Sequence, residues 1–132
     1  MTPDPHAERP RIAVLADDLI WATRLADGVR RAGGEPVPVR SAPALEAILA
    51  SVSGCLVDLT ARAYDGLDCL GTATAAGVPA IAVGQHDDAE TRRAARAAGA
   101  GRVYAYRTLF DHGDRELGAW IGTLSVGTKG RP

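Results

Sequence analysis

The sequence predicts an α/β fold: a doubly wound, five-stranded parallel sheet with helices on both faces, arranged as a three-layer sandwich. Two observations predict it. Short apolar runs alternate with longer segments of helical periodicity, a pattern that favours parallel strands joined by right-handed crossovers. The runs at residues 11–16, 54–59 and 78–83 are almost continuously apolar, as expected of strands buried on both faces.

The first half of the chain supplies two strands and two helices before the second apolar run. Leu25 and Val29 lie one turn apart in the first helix, which Gly33-Gly34 ends. Two prolines in residues 35–40 confine that strand to a sheet edge. The next helix carries Leu45, Ile48 and Leu49 on one face.

The second half repeats this alternation. Gly77 ends a helix of small residues, and Gly99 ends a helix with acids in its first turn and arginines later, as the helix dipole favours. The last helix presents Leu117, Trp120, Ile121 and Leu124 to the core. The predicted strands are residues 11–16, 35–40, 54–59, 78–83 and 102–106, and the predicted helices are residues 19–32, 43–50, 67–76, 87–98 and 114–124.

Composition narrows the function classes. The 132 residues suit one domain, predicted at residues 11–124 between disordered tails at 1–10 and 125–132. A net charge of -1 does not favour nucleic acid or an anionic membrane as partner. Cys55 and Cys69 form no zinc motif, and we expect them to be reduced core thiols. No apolar run has signal-peptide or membrane-spanning length, so we predict a cytoplasmic, soluble protein.

Acidic residues gather at the predicted carboxyl ends of the strands. Asp17 and Asp18 follow the first strand, and Asp58 ends the third. Each has a local interpretation: Asp17 or Asp18 caps a helix, and Asp58 bonds a loop amide. Because these strands are neighbours in a doubly wound sheet, the three carboxylates are also expected to share a crevice, which needs a cation, a proton or an arginine. Oxygen ligands suit magnesium.

Six short motifs, in order, resemble the CheY-like receiver domain of two-component response regulators, which has a flavodoxin-like fold. The resemblance spans residues 11–124 and rests on Asp17-Asp18, Asp58, Asp65-Gly66, Val78-Pro79, Asp87-Asp88 and Ala98-Gly99-Ala100. It implies that Asp58 is the phospho-acceptor and that Asp17, Asp18 and Asp58 hold magnesium. It also implies a hydroxyl after the fourth strand and a lysine after the fifth, which bind the phosphoryl oxygens.

The sequence departs from that family at the two switch positions. Gly84 stands at the hydroxyl position and offers no side-chain donor. The lysine position falls on Tyr106, or on Arg107 if one residue is inserted, and the only lysine of the chain is Lys129. Arg107 is expected either to replace the missing charge or to pair permanently with Asp58.

Three hypotheses remain open. The first is a stand-alone pseudo-receiver, not an enzyme, that signals through protein–protein contact without conventional phosphorylation. The second is a working acceptor that uses Asp58, magnesium and Arg107, and the third is a flavodoxin-like module for a small ligand. The candidate partner surface consists of Arg92, Arg93, Arg96, Arg102 and Tyr104. It belongs to the face formed by the fourth helix, fifth strand and fifth helix, which is also the candidate face for a homodimer. We expect an unidentified signalling protein as partner, and neither nucleic acid nor membrane.

Overall fold

The computed structural model describes residues 9–85 and 89–124. The tails predicted at both ends lie almost wholly outside these ranges, as do His86, Asp87 and Asp88, so the predicted start of the fourth helix at Asp87 is not described. Pro10 is buried, and its carbonyl oxygen accepts a hydrogen bond from the Glu35 N–H at 2.8 Å. The chain is therefore tied to the sheet from Pro10 onwards.

Five parallel strands form one sheet, as the sequence predicted. The strands are β1 Arg11–Leu15, β2 Glu35–Val39, β3 Gly54–Asp58, β4 Ala80–Gly84 and β5 Ala100–Ala105. Their order across the sheet is β2-β1-β3-β4-β5, so the three almost continuously apolar strands, β1, β3 and β4, lie side by side in its interior. The edge position of β2 agrees with its two prolines.

Helices follow each strand and begin at polar caps where the sequence offers one. Asp18, Ser41 and Asp65 each accept a backbone hydrogen bond at the start of a helix. No helix in residues 9–85 and 89–124 is long and apolar enough to cross a membrane. The helices are α1 Leu19–Arg31, α2 Ala42–Ile48, α3 Gly66–Ala75, α4 Ala89–Ala97 and α5 Tyr106–Ile121, with a 3₁₀ turn at Leu49–Ser51.

The sheet separates two apolar layers because successive strand residues point to opposite faces. Ala13, Leu15, Cys55 and Val57 face the layer under α2, α3 and α4, whereas Ile12, Val14 and Leu56 face the layer under α1 and α5. Both cysteines are free and buried in the first layer, and burial raises the pKa of the Cys55 thiol to about 12. This arrangement confirms the predicted three-layer fold.

The last helix begins much earlier than predicted. The sequence pattern placed its start at Asp114, but the helical segment begins at Tyr106 and is interrupted by non-helical backbone at His112 (φ -132°, ψ 21°). No side chain caps it at Ala105, so the usual start signal is missing. The predicted fifth strand, 102–106, therefore ended one residue too late, and it also began two residues too late; Tyr106 lies at the head of α5 instead of at the end of β5.

Candidate functional site

The strand order brings the sequence-predicted acids to one edge of the sheet. β1 and β3 pair in parallel, with Leu15 opposite Val57, so the segments that follow them leave the sheet side by side. The strand order also reverses between these two strands, which is where open α/β sheets form their crevices. Asp17 and Asp58 are therefore close in the fold, and their partners decide what the site can do.

Asp58 ends β3 and is almost fully enclosed. The residue is 1% exposed, although carboxylates are seldom buried without partners. Its Oδ1 accepts hydrogen bonds from the Thr60 N–H at 2.9 Å, the Thr60 hydroxyl at 2.8 Å and the Tyr106 hydroxyl at 2.5 Å. All the hydrogen bonds described for the Asp58 carboxylate thus end on one of its two oxygens.

Tyr106 closes the site from the head of α5. Burial first, and then its hydrogen bond to Asp58, raise the pKa of the Tyr106 phenol, so the hydroxyl keeps its proton and can donate it. The Thr60 and Tyr106 hydroxyl oxygens also lie 2.8 Å apart. The Thr60 hydroxyl, the Tyr106 hydroxyl and Asp58 Oδ1 therefore make three oxygen–oxygen contacts. Since each hydroxyl has one hydrogen, two of these three contacts are hydrogen bonds at any moment.

The other carboxylate oxygen of Asp58 has no partner. Oδ2 is buried, and within the described ranges no group donates a hydrogen bond to it. A buried acceptor without a donor costs about 1–3 kcal/mol. The arrangement therefore stabilises Oδ1 and leaves Oδ2 enclosed.

Tyr64, which the sequence pattern did not single out, fixes the backbone of the same strand ends. Its hydroxyl lies 2.7 Å from the Asp58 carbonyl oxygen and 2.9 Å from that of Leu15. Burial raises the pKa of the Tyr64 phenol, with Asp58 and Asp17 adding to the effect. The hydroxyl stays protonated and links β1 to β3 just before the two acids.

Asp17 binds a loop and not the Asp58 carboxylate. Its Oδ2 accepts the N–H groups of Arg62 and Ala63 at 2.8 and 2.9 Å. Burial acts to raise the pKa of Asp17, but the hydrogen bonds from Ala63 and Arg62 outweigh it and lower that pKa. Arg40 donates a hydrogen bond to the Asp17 carbonyl oxygen at 2.9 Å. Asp17 therefore fastens the β3–α3 loop to the end of β1.

Asp18 is the N-cap of α1, which is the local role weighed for it. Its Oδ1 accepts the Trp21 N–H at 3.0 Å, and the residue is exposed. The three acids thus point to separate partners. Among the residues that the structure describes, no group of three His, Cys, Asp or Glu side chains is placed to hold a metal ion. The predicted magnesium set Asp17, Asp18 and Asp58 is not assembled as a metal site in this geometry, because one oxygen of each acid accepts hydrogen bonds from a separate partner and the remaining oxygen of Asp58 is buried.

The residues predicted at the two switch positions lie in different surroundings. Gly84 ends β4 and is buried, and it contributes no side chain to the site. Arg107 is exposed and makes no described ion pair with Asp58, so the structure does not have the permanent pairing that was one of the two alternatives for this residue. The reason is the early start of α5: Tyr106 faces the carboxylate, and Arg107 is turned about 100° around the helix from it.

Trp21 connects the site to the protein surface. Its ring stacks on Tyr106 with centroids 4.3 Å apart and an interplanar angle of 8°, and on Phe110 at 5.2 Å and 9°. The guanidinium of Arg24 lies 5.4 Å from the Trp21 ring centroid and 5.5 Å from that of Phe110. Trp21 thus lies against the ring of Tyr106, the residue that closes the Asp58 pocket.

The predicted partner surface lies on α4 and β5. Arg93 and Arg96 are exposed and Arg92 is half-buried, all on α4. On β5, Arg102 and Tyr104 are half-buried, with 3.4 Å between the Arg102 Nη1 and the Tyr104 hydroxyl. This surface is separate from the Trp21 stack.

Comparisons with known proteins identify the fold. No model of a known protein family and no curated protein matches the sequence. Among solved structures, a response regulator from Thermotoga maritima matches with a TM-score of 0.75 at 12% identity, covering 87% of this chain and 99% of that chain. A two-component response regulator from Clostridium difficile matches with a TM-score of 0.75 at 9% identity, covering 87% and 98%.

A CheY-like receiver domain protein from Methanospirillum hungatei is also similar, with a TM-score of 0.66 at 20% identity over 83% of this chain and 94% of that chain. At such identities the likeness concerns the fold. It agrees with the strand order and the four crossovers described above. The chain has the fold of CheY-like response-regulator receiver domains.

Proposed function

We propose that this domain is a receiver-like signalling module that acts through protein–protein contact, without phosphorylation of Asp58 and without catalysis. One observation carries the proposal. The Asp58 carboxylate is 1% exposed, and its Oδ1 is held by hydroxyls of Thr60 and Tyr106. To attack the phosphorus of a donor in line, the carboxylate must present an accessible oxygen, and Oδ2 is buried as well.

The charges around the pocket support the same conclusion. A transferred phosphoryl group is stabilised by cations and hydrogen-bond donors placed at its oxygens. Here Tyr106 brings a neutral hydroxyl, Gly84 brings no side chain, and Arg107 is exposed. Asp17 and Asp18 are committed to backbone N–H groups, so we also propose weak or absent magnesium binding.

The experiment adds to the pocket the hydroxyl and the ammonium group that it lacks. Wild-type chain, Asp58→Asn and the double variant Gly84→Thr/Tyr106→Lys are incubated with magnesium and acetyl phosphate, and intact masses are recorded. We expect no added phosphoryl group on the wild type. The double variant is expected to gain one, because it regains a hydroxyl and an ammonium and frees Oδ1 of Asp58.

Adding Asp58→Asn to the double variant is the matched control and is expected to abolish the label. Titration with magnesium and beryllium fluoride gives a second measurement, because Trp21 stacks on Tyr106 and its fluorescence reports on the pocket. A phosphoryl group on the wild type that disappears in Asp58→Asn contradicts the proposal and favours the working phospho-acceptor.

For the partner, the arginine-bearing surface of α4 and β5 fits an acidic protein. Arg93 and Arg96 are exposed on α4, and Arg102 lies on the neighbouring strand. Two copies facing each other through this surface would bring like charges together, which opposes the homodimer considered from sequence. A heterologous acidic partner is therefore the better occupant of this face.

A small-ligand module is favoured by one observation only. A groove of about 730 Å³ lies between the β3–α3 loop and α4, with Leu59, Ala61 and Leu67 among its lining residues and the carboxylates of Asp65 and Glu90 also lining it. These carboxylates repel the phosphates of nucleotides and flavins. Thermal-shift measurements with nucleotides and flavin mononucleotide are therefore expected to show no stabilisation, and a saturable shift would favour this alternative.

A further inference from the structure

Exposed apolar side chains concentrate at the heads of α1 and α5. Four large apolar side chains are exposed in the described part of the chain, and three of them belong to these two helices. Leu19 is 67% exposed, Ile20 66% and Phe110 38%. Together with Trp21 and Arg24 they form what we call the α1–α5 patch. Contiguous exposed apolar surface on a small domain marks an interaction site.

The patch is rigid rather than a collection of loose side chains. The rings of Trp21, Tyr106 and Phe110 are parallel within 9°, and Tyr106 and Phe110 have centroids 5.9 Å apart. Arg24 lies over two of these rings. Preorganised aromatic and arginine side chains lose little conformational entropy on binding, which is why such groups dominate interfaces.

Charged side chains of both signs lie on α1 and α5 beside the patch. On α1, Arg30 pairs with Asp27 at 2.9 Å, and Arg31 reaches Asp114 of α5 at 3.4 Å. Arg24 on α1, and Arg107 and Asp111 on α5, have no ion-pair partner in residues 9–85 and 89–124. An unpaired cation on α1, Arg24, and an unpaired anion on α5, Asp111, therefore lie on the two helices that form the patch.

We propose that the α1–α5 patch binds a second copy of this chain across a two-fold axis. A two-fold interface uses the same surface on both copies, so it needs apolar self-complementarity and opposite charges on either side of the axis. The patch has both: its apolar side chains meet their equivalents, and Arg24 of one copy faces Asp111 of its partner. The inference rests on the proposed function in that it names a contact through which the domain would act.

The α1–α5 patch differs from the arginine-bearing face of α4 and β5. That face bears positive charge only, and we have assigned it to a different, acidic protein. Tyr106 belongs to both the aromatic stack and the Asp58 pocket. Burying Trp21 and Phe110 between two copies would hold the Tyr106 ring in place and, with it, the hydroxyl on Asp58.

Sedimentation velocity on the full chain tests the proposal, from about 1 μM to about 1 mM, the range in which a small interface dissociates. The wild type is expected to show a reversible monomer–dimer equilibrium. Leu19→Asp/Ile20→Asp is expected to remain monomeric throughout. Acids in the first turn of a helix are favourable, so this variant keeps its fold, which circular dichroism verifies. Leu67→Asp is the matched control, since Leu67 is exposed (39%) on α3, and it is expected to dimerise as the wild type does.

A charge exchange tests the predicted pairing. Arg24→Glu and Asp111→Arg each place like charges across the axis, and each is expected to weaken the dimer about tenfold. The double variant Arg24→Glu/Asp111→Arg restores opposite charges and is expected to recover most of the affinity.

Two results would overturn the inference. One is a wild-type chain that stays monomeric over the whole range, and the other is a dimer that survives Leu19→Asp/Ile20→Asp but is lost in Arg93→Glu/Arg96→Glu. Neither bears on the state of Asp58, which is scored by phosphoryl mass, so failure of the self-association and failure of the proposed function remain distinguishable.

Discussion

Tyr106 determines the chemistry of the pocket more than any other residue. A lysine at this place would carry a positive charge near Asp58, whereas the phenol carries none and keeps its proton because burial raises its pKa. Sequence could identify Tyr106 as occupying the lysine position. It could not show that the hydroxyl reaches Oδ1, because that depends on a helix start for which the chain offers no capping residue.

The roles of the acids were only partly predictable from sequence. Capping by Asp18 follows from residue type and position, and the structure confirms it. The hydrogen bonds from Arg62 and Ala63 to Asp17 join residues far apart in the chain, and no local pattern encodes such a contact. The acids follow neighbouring strands as expected, but each accepts hydrogen bonds from its own partners instead of sharing a site with the other two.

The Asp17 contact gives a prediction at this scale. Asp17→Ala should lower the free energy of unfolding by about 1 kcal/mol, because two loop N–H groups lose their acceptor but remain near water. Asp17→Asn, which keeps an acceptor oxygen without the charge, should lose less. Urea unfolding at neutral pH measures both, and equal losses would show that the charge and not the hydrogen bonds is responsible.

The same residue predicts a pH dependence. The pKa of Asp17 is lowered in the folded chain from its ordinary value of 3.8, so the charge contributes stability above that value. The contribution is lost as the pH falls through the lower, folded pKa. The difference in unfolding free energy between wild type and Asp17→Asn should therefore be constant above pH 3.8 and shrink below it. A difference that persists undiminished in acid would contradict this.

At the scale of elements, predictability depended on local signals. α1 was found because apolar periodicity and a terminal glycine agree with each other, and α3 because a run of small residues ends at Gly77. The first part of α5 was missed because its buried apolar residues, Tyr106 and Leu109, are too few before the break at His112 to display a period. The predicted start at Asp114 corresponds to the helix beyond that break.

Two helix-ending glycines give a matched pair of variants. Gly77 and Gly99 both have positive φ, +77° and +115°, which side chains other than hydrogen disfavour. A Cβ on Gly77 would meet no atom within 4 Å, whereas one on Gly99 would collide with Thr74. Gly77→Ala should cost about 1 kcal/mol from backbone strain alone. Gly99→Ala should cost more, and thermal unfolding compares them; equal losses would mean that Thr74 moves aside freely.

At the scale of the whole molecule, one sheet supports two apolar layers that do not touch each other except through it. Leu70 is fully buried in the layer of α2, α3 and α4, and Leu117, 2% exposed, lies in the layer of α1 and α5. This division was readable from the sequence, since strands that are apolar throughout need a cover on both faces. Which helix covers which face required the order of the strands.

The shared sheet predicts that both layers unfold together. Leu70→Ala and Leu117→Ala should each lower the free energy of unfolding by about 2–5 kcal/mol, as large-to-small changes in a core do. Trp21 and Trp120 both lie in or against the second layer, away from Leu70. Tryptophan fluorescence and far-ultraviolet circular dichroism should nevertheless give coincident transitions for Leu70→Ala. Separate midpoints would mean that the layers are independent.

The neutral closure of the Asp58 pocket has a consequence for how such a domain could be regulated. On the proposed function, a site held by hydroxyls, with Asp17 and Asp18 bonded to backbone amides, would respond neither to the supply of a phosphoryl donor nor to the level of free magnesium. What remains variable is mass action: the fraction of the domain in a complex then follows its own abundance and that of its partners. Synthesis and degradation of the protein, instead of a chemical modification, would set the strength of its signal.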